Sequence, residues 1–155
     1  MDDLEKFGKY MNKINLNNEQ IKEIAEELDL GMKVYIHKIT KEMKSIIDFD
    51  KHFYADEEVW EDDINEIEEN YDKYLEFEQM DTRESFKVME DFVETIRDEE
   101  LKKKLELGLS LSKPFRNFKD IIGAEGEYRE KWFKFKNAKY IDFVKEQLDN
   151  YNNVK

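Results

Sequence analysis

The chain has 155 residues and carries 39 acidic against 26 basic side chains, a formal net charge of −13. The absence of cysteine excludes disulfides and thiolate chemistry, and the excess of acid disfavours nucleic acid and anionic membranes as partners. An aromatic content of 14% supplies the bulky side chains that a packed core needs. The acidic first residues and the lack of a long apolar run lead us to expect a cytoplasmic protein without membrane contact.

The N-terminal part predicts a capped helix. Asn17 and Gln20 have the spacing of a capping box, and apolar residues then recur at helical intervals over residues 21–28. Gly31 stands just past the expected end, where a left-handed residue often terminates a helix. Residues 1–17 also carry apolar side chains at helical spacing, so we expect a loosely attached helix there.

Residues 33–49 predict a small antiparallel sheet. Apolar and polar side chains alternate over residues 33–39, and residues 45–49 have the composition of a partner strand. Residues 40–42 would form the turn between them. His37 falls on the outward phase of the first strand, so we expect it to face solvent.

From residue 56 the apolar spacing becomes helical again, and the positions between are almost all acidic. Residues 73–78 fit either an extension of this helix or a third strand, and both alternatives stay open. The inward side of the helix would consist of Trp60, Ile64, Ile67 and Tyr71.

Four further helices are predicted in the second half. Asp81 and Glu84 form a capping box for the first, and the second begins near Asp98. Pro114 suits the first turn of the third, and the last covers about 127–148. Their expected core positions include Phe92, Leu105, Phe115, Phe118, Trp132, Phe135 and Val144.

Together these elements predict a mostly helical α+β fold with four to six helices and a sheet near residues 33–49, extended by residues 73–78 if they form a strand. Five glycines and one proline leave little room for long linkers. We therefore expect a single domain over residues 1–155.

Charge is distributed unevenly along the chain. Residues 48–100 hold 22 acidic and 5 basic side chains, whereas residues 101–139 hold 5 acidic and 11 basic ones interleaved with aromatic residues. In one alternative, the aromatic rings are core and the cations lie on the solvated side of the same helices, where some can pair with acids of residues 84–100. In the other alternative, the cations form an anion-binding face. The residues of this predicted basic patch are Arg116, Lys119, Arg129 and Lys134.

No side chains have the spacing of a known catalytic or metal site. Asp48, Asp50 and His52 lie close in sequence but lack the glycine and bidentate acid of a calcium loop. His37 and His52 are the only histidines, and neither follows a glutamate by three residues. We therefore predict no catalytic residue, no metal, no cofactor and no small-molecule ligand.

Four sequence motifs follow one another in the second half of the chain. They are Phe86 to Phe92, a leucine-rich stretch over residues 101–109, Phe115 to Asp120, and Trp132 to Phe135. This order resembles the uncharacterised bacterial family UPF0158, and the similarity covers residues 18–150. The resemblance implies a compact α+β domain with no assigned reaction, so it supplies no catalytic residue.

The chain departs from the family pattern at a few positions. Lys41 stands where the family has glycine, and Lys113-Pro114 replaces a glycine-alanine pair. Asn117 replaces an arginine, and Phe133 replaces a tyrosine.

These observations favour a non-enzymatic interaction or regulatory domain that binds another macromolecule, with a protein as partner. One alternative is an acid–base hydrolase that uses carboxylates in a cleft. A third is nucleic-acid binding through the basic residues 113–139, although the net charge disfavours it.

Overall fold

A computed structural model describes residues 13–50 and 56–153. These residues form six α-helices and one three-stranded antiparallel sheet, which confirms the mostly helical α+β class. The helix predicted for residues 1–17 falls mainly outside the described residues, and residues 13–17 are not helical. The helices are α1 (Asn18–Asp29), α2 (Glu61–Glu69), α3 (Thr82–Glu94), α4 (Glu99–Ser110), α5 (Pro114–Gly123) and α6 (Gly126–Asn152), the strands are β1 (Met32–His37), β2 (Met43–Ile47) and β3 (Tyr74–Phe77), and short 3-10 helices cover Glu57–Trp60 and Tyr71–Lys73.

The chain divides into two compact units. Unit 1 contains the residues up to Gln79 together with those from Tyr140 onwards, and unit 2 contains Met80–Lys139. Unit 1 is therefore discontinuous in sequence, and α6 contributes residues to both. The expectation of a single domain stays a prediction.

In unit 1, β1 is the central strand of the sheet, with order β2-β1-β3. Val34 and Ile36 are buried, as the alternation of the sequence predicts. The ambiguous residues 73–78 contain β3, in which Tyr74 pairs with His37 and Phe77 with Val34. Helix α1 packs its buried side against β1, and that side consists of Ile21, Ile24, Ala25 and Leu28.

The predicted start and end of α1 are confirmed. The Asn17 side chain accepts a hydrogen bond from the Gln20 N–H at 2.8 Å, and the Gln20 side chain accepts from the Asn17 N–H at 2.9 Å. These reciprocal bonds satisfy two backbone donors that the first helical turn leaves unpaired. Gly31 has a φ of 91°, which a residue without Cβ adopts at little cost.

His37 is half-buried, so the expectation that it faces solvent is wrong. Its Nδ1 accepts hydrogen bonds from the backbone N–H groups of Ile39 and Thr40, both at 3.1 Å. The imidazole also meets the Tyr74 ring edge-on, with centroids 5.2 Å apart. The side chain is therefore turned back onto the β1–β2 connection, where it stabilises the turn.

Tyr71 was expected in the core but is 68% exposed. Helix α2 ends at Glu69 and a 3-10 helix follows, so Tyr71 no longer lies in the helical phase set by Trp60, Ile64 and Ile67. Tyr74, the first residue of β3, is buried instead and packs with Ile46 and Ile67.

Two carboxamides of α6 bind backbone groups far away in sequence but within unit 1. Asn152 Nδ2 donates to the Ile14 carbonyl at 2.8 Å, and Asn152 Oδ1 accepts from the Ile14 N–H at 2.9 Å. Gln147 makes the same two-way arrangement with the Glu78 backbone, at 2.8 and 3.0 Å. We call these the two carboxamide pairs.

Unit 2 has an aromatic core. The Phe118 and Trp132 ring centroids are 4.7 Å apart, and Phe92 lies 5.3 Å from Trp132 and 6.3 Å from Phe118. Phe118 and Trp132 are buried, which confirms that these rings are core. Phe115 differs, since it is 38% exposed and meets the ring edge of Phe86 at 6.3 Å between centroids.

Helices α4 and α5 approach closely at Gly108. A Cβ at this position would lie 3.0 Å from Ile121 Cδ1 and 3.3 Å from Asn117 Cβ. Asn117 Nδ2 donates to the carbonyls of Gly108 and Ser112, both at 2.9 Å. Asn117 thus satisfies the Gly108 carbonyl in the last turn of α4 and the Ser112 carbonyl in the connection to α5.

Candidate binding groove

All four residues of the predicted basic patch are exposed. Arg116 and Lys119 lie on α5, and Arg129 and Lys134 lie on α6. Arg129 and Lys134 are five positions apart, which places them about 140° apart around the helix. They therefore belong to different sides of α6, and the patch is not one continuous surface on that helix.

The structure instead brings Lys134 together with Arg97 and Lys131. These cations line an open groove of about 570 Å³ between the C-terminal end of α3 and the first half of α6, all within unit 2. The other lining residues are Phe92, Thr95, Ile96, Tyr128 and Phe135.

The end of α3 positions Arg97. Thr95 caps the helix, with its N–H donating to the Phe92 carbonyl at 2.9 Å and its hydroxyl donating to the same carbonyl at 2.6 Å. Ile96 is buried and its N–H bonds to the Val93 carbonyl, so the chain leaves the helix with a fixed direction. Arg97 follows as an exposed residue at the edge of the groove.

Lys131 is held by neighbours on its own helix. Its Nζ lies 2.8 Å from a Glu127 carboxylate oxygen and 5.0 Å from the centre of the Tyr128 ring. The hydrogen bond to Glu127 and the charge of that carboxylate raise the pKa of Lys131. The positive charge of Arg97 opposes this effect weakly, which is consistent with two cations sharing the groove.

Arg97 and Lys134 differ from Lys131 because neither is paired with a carboxylate of the described residues. Both side chains are exposed at the mouth of a groove that also presents the partly exposed rings of Tyr128 and Phe135. The arrangement can attract an anionic group and contact an apolar or planar one beside it.

The interleaving of cations and aromatic residues on α6 has a local cause. Arg129 lies over the Phe133 ring at 5.5 Å, and Lys139 lies over the Phe135 ring at 5.4 Å. Such pairs are four residues apart and therefore share one side of the helix. Arg129 thus packs along its own helix, outside the groove.

Arg116 and Lys119 do not line the groove. Neither forms an ion pair with an acid in the part of the chain that the structure describes, so the pairing with residues 84–100 that one alternative allowed is not seen. Within that stretch, Asp91 pairs instead with Lys87, and Glu94 pairs with Lys102.

Arg97 is the groove residue that the sequence did not indicate. It lies among acids, with Glu94 before it and Asp98 after it. Because this stretch has a negative net charge, the sequence does not indicate a basic site at Arg97. Only the packing of α3 near α6 brings it to Lys131 and Lys134, and no short-range signal reports that packing.

Within residues 13–50 and 56–153, no group of three or more histidine, aspartate or glutamate side chains is arranged to hold a metal ion. The buried charged residue of this part is Asp48, whose Oδ1 accepts from the Asp50 N–H at 3.0 Å. His52, the third member of that sequence cluster, lies outside the described residues. Across the same residues, no helix combines the length and the apolar character that crossing a bilayer requires.

Comparison with known families gives one match. The model of an uncharacterised protein family, UPF0158, matches residues 11–154, nearly the whole chain. The chain belongs to the family UPF0158. No curated protein and no solved structure matches it.

Proposed function

We propose that this UPF0158 protein is a non-enzymatic interaction domain of the cytoplasm that binds an acidic segment of a partner protein in the groove of unit 2. The observation that carries the proposal is the placement of Arg97 and Lys134, without a carboxylate partner among the described residues, beside Lys131 and aromatic side chains.

The groove suits a peptide segment in size and composition. A volume of about 570 Å³ is large enough for a few side chains, and its lining combines rings with three cations. Acidic side chains of a partner would meet Arg97 and Lys134, while an apolar or aromatic side chain between them would contact Tyr128 and Phe135.

A protein segment fits the charge of the whole chain better than nucleic acid does. The net charge of −13 repels a long polyanion, and three groove cations offset only part of that repulsion. A short acidic segment carries fewer charges and meets the positive groove over most of its length.

Selection from a random peptide library tests directly whether the groove prefers acidic segments. We expect 12-residue peptides captured by the full-length chain to be enriched in aspartate, glutamate and aromatic residues. The double variant Arg97→Glu/Lys134→Glu should weaken binding of the enriched peptides by about tenfold or more, since each reversed charge removes an attraction and adds a repulsion.

A matched control is Lys22→Glu/Lys145→Glu, which makes the same charge change at two exposed lysines of unit 1. This control should change the affinity less than threefold. Peptides without an acidic preference, or equal losses in both double variants, would refute the proposal. Selective binding of a 20-nucleotide single-stranded DNA at the groove, without any peptide preference, would replace it by the nucleic-acid alternative.

The hydrolase alternative requires two carboxylates of different environment in one cleft. Among the described residues the structure shows one buried acid, Asp48. No observation favours this alternative over the groove, and it stays a prediction.

A further inference from the structure

Unit 2 contains a second groove, of opposite charge, between α3 and α4. It has a volume of about 250 Å³ and an apolar floor formed by Phe86, Val93 and Leu109. Its rim carries three glutamates, Glu90, Glu94 and Glu106, all exposed. We call it the acidic groove.

We propose that the acidic groove docks a basic amphipathic helix of a partner protein. This proposal is independent of the function assigned to the positively charged groove, because the two grooves share no lining residue.

The shape of the acidic groove argues for a helix. On α3 the lining residues are Phe86, Glu90, Val93 and Glu94. Their spacing of three or four positions places them in one stripe along that helix. Residues 106, 109 and 110 form the matching stripe on α4. A channel between two packed helices is the surface into which the side-chain ridge of a third helix fits.

The size of the groove argues for a side-chain anchor. A volume near 250 Å³ is below the range of about 300–1,000 Å³ that is usual for small-molecule pockets. It accommodates one or two apolar side chains of a larger partner. Phe115 extends the apolar surface, because its half-exposed ring packs edge-on against Phe86.

The charge of the rim argues for a basic partner. Glu90 and Glu106 form no ion pair within 4.0 Å among the described residues, although the charge of Glu90 helps to raise the pKa of Lys87. Glu94 has a long contact to Lys102 Nζ at 3.8 Å. Lysine or arginine side chains that flank an apolar stripe would therefore find three carboxylates around the floor. An acidic or neutral helix would lack this complementarity.

The test uses the full-length chain and an 18-residue fluorescent peptide of leucine and lysine, with leucines on one helical side. We expect it to bind, and we expect Glu90→Gln/Glu94→Gln/Glu106→Gln to weaken binding by about tenfold and to reduce its salt dependence. Ser110→Tyr, which places a ring in the groove without removing a core side chain, should block binding to a similar extent.

The control variant is Glu58→Gln/Glu61→Gln/Glu69→Gln, which removes the same charge from exposed positions of unit 1. Equal losses in the two triple variants would mean general attraction to an acidic protein and would overturn the proposal. So would equal affinity for a scrambled peptide of the same composition, or self-association in sedimentation that Ser110→Tyr abolishes while the peptide fails to bind. Circular dichroism of each variant confirms that it is folded.

Discussion

Lys41 and Lys113 hold φ angles of 64° and 58°, in the left-handed region where Cβ crowds the following carbonyl. A side chain in this conformation costs about 1–2 kcal/mol. The two lysines therefore place strain in the β1–β2 turn and at the start of α5.

Lys41→Gly should have a free energy of unfolding about 0.5–1 kcal/mol higher than that of Lys41→Ala, since both variants lose the bond from Lys41 Nζ to the Lys38 carbonyl. Relief of the left-handed strain, about 1–2 kcal/mol, exceeds the entropy that glycine adds to the unfolded chain, about 0.4–1 kcal/mol. Urea denaturation followed by circular dichroism measures the change. Lys41→Ala keeps Cβ and should give no gain, so a glycine variant less stable than the alanine variant would contradict the strain.

Tyr35 gives a prediction for alkaline pH. Its hydroxyl lies 3.4 Å from Glu76 Oε1 on the neighbouring strand, and burial, followed by the charge of Glu76, raises the pKa of Tyr35 to about 12. Between pH 10 and 12 the unfolded chain loses this proton while the folded chain keeps it, so stability falls as pH rises. The urea midpoint of Tyr35→Phe should fall less from pH 9 to pH 11 than that of the unaltered protein.

Tyr128→Phe is the matched control for this experiment. Tyr128 belongs to unit 2 and does not contribute to the raised pKa of Tyr35, so its removal should leave the alkaline loss of stability unchanged. Equal protection by both phenylalanine variants would show that the environment of Tyr35 is not the cause.

At the scale of elements, the α4–α5 hairpin depends on one side chain. Asn117 donates to the Gly108 carbonyl of α4 and to the Ser112 carbonyl of the connection, and the approach at Gly108 leaves little space for a larger residue.

Asn117→Asp should destabilise the protein by about 2–3 kcal/mol. The carboxylate has no N–H to donate, and it would lie against two carbonyl oxygens that also lose their partner. Asn117→Ala, which removes the donors without adding charge, should cost about 1–2 kcal/mol. Thermal denaturation ranks the stability of the two variants and the unaltered chain. An aspartate variant as stable as the unaltered chain would contradict the role of Asn117 as a hydrogen-bond donor.

What the sequence reveals about the elements depends on how local each signal is. The capping boxes at Asn17 and Asp81 are readable because all their partners lie within three residues. Strand β3 is ambiguous, since four residues fit either periodicity and its identity comes from pairing with distant β1. The groove follows the same rule, because Lys134 belongs to a basic stretch whereas Arg97 joins it only through tertiary packing.

At the scale of the whole molecule, unit 1 is assembled from two stretches separated by the 60 residues of unit 2, Met80–Lys139. The carboxamide pairs join those stretches, with Asn152 bonded to Ile14 and Gln147 to Glu78. A backbone N–H and a backbone carbonyl are satisfied in each pair, so neither can be replaced by a group that only accepts.

Asn152→Asp should lower the free energy of unfolding by about 1–3 kcal/mol, because the carboxylate cannot donate to the Ile14 carbonyl. Asn150→Asp, an exposed residue of the same helix with the same charge change, should alter stability by less than about 0.5 kcal/mol. Chemical denaturation compares the two. Similar losses in both variants would attribute the effect to charge at the end of α6 instead of to the pair.

The carboxamide pairs also set an order of events during translation. Residues 80–139 form one uninterrupted stretch, so all residues of unit 2 are synthesised before the end of α6 is added. The sheet of unit 1 emerges earlier but must wait for Gln147 and Asn152 before Glu78 and Ile14 gain their partners. A nascent chain arrested at residue 139 would therefore present its first-made strands to chaperones without these closing bonds.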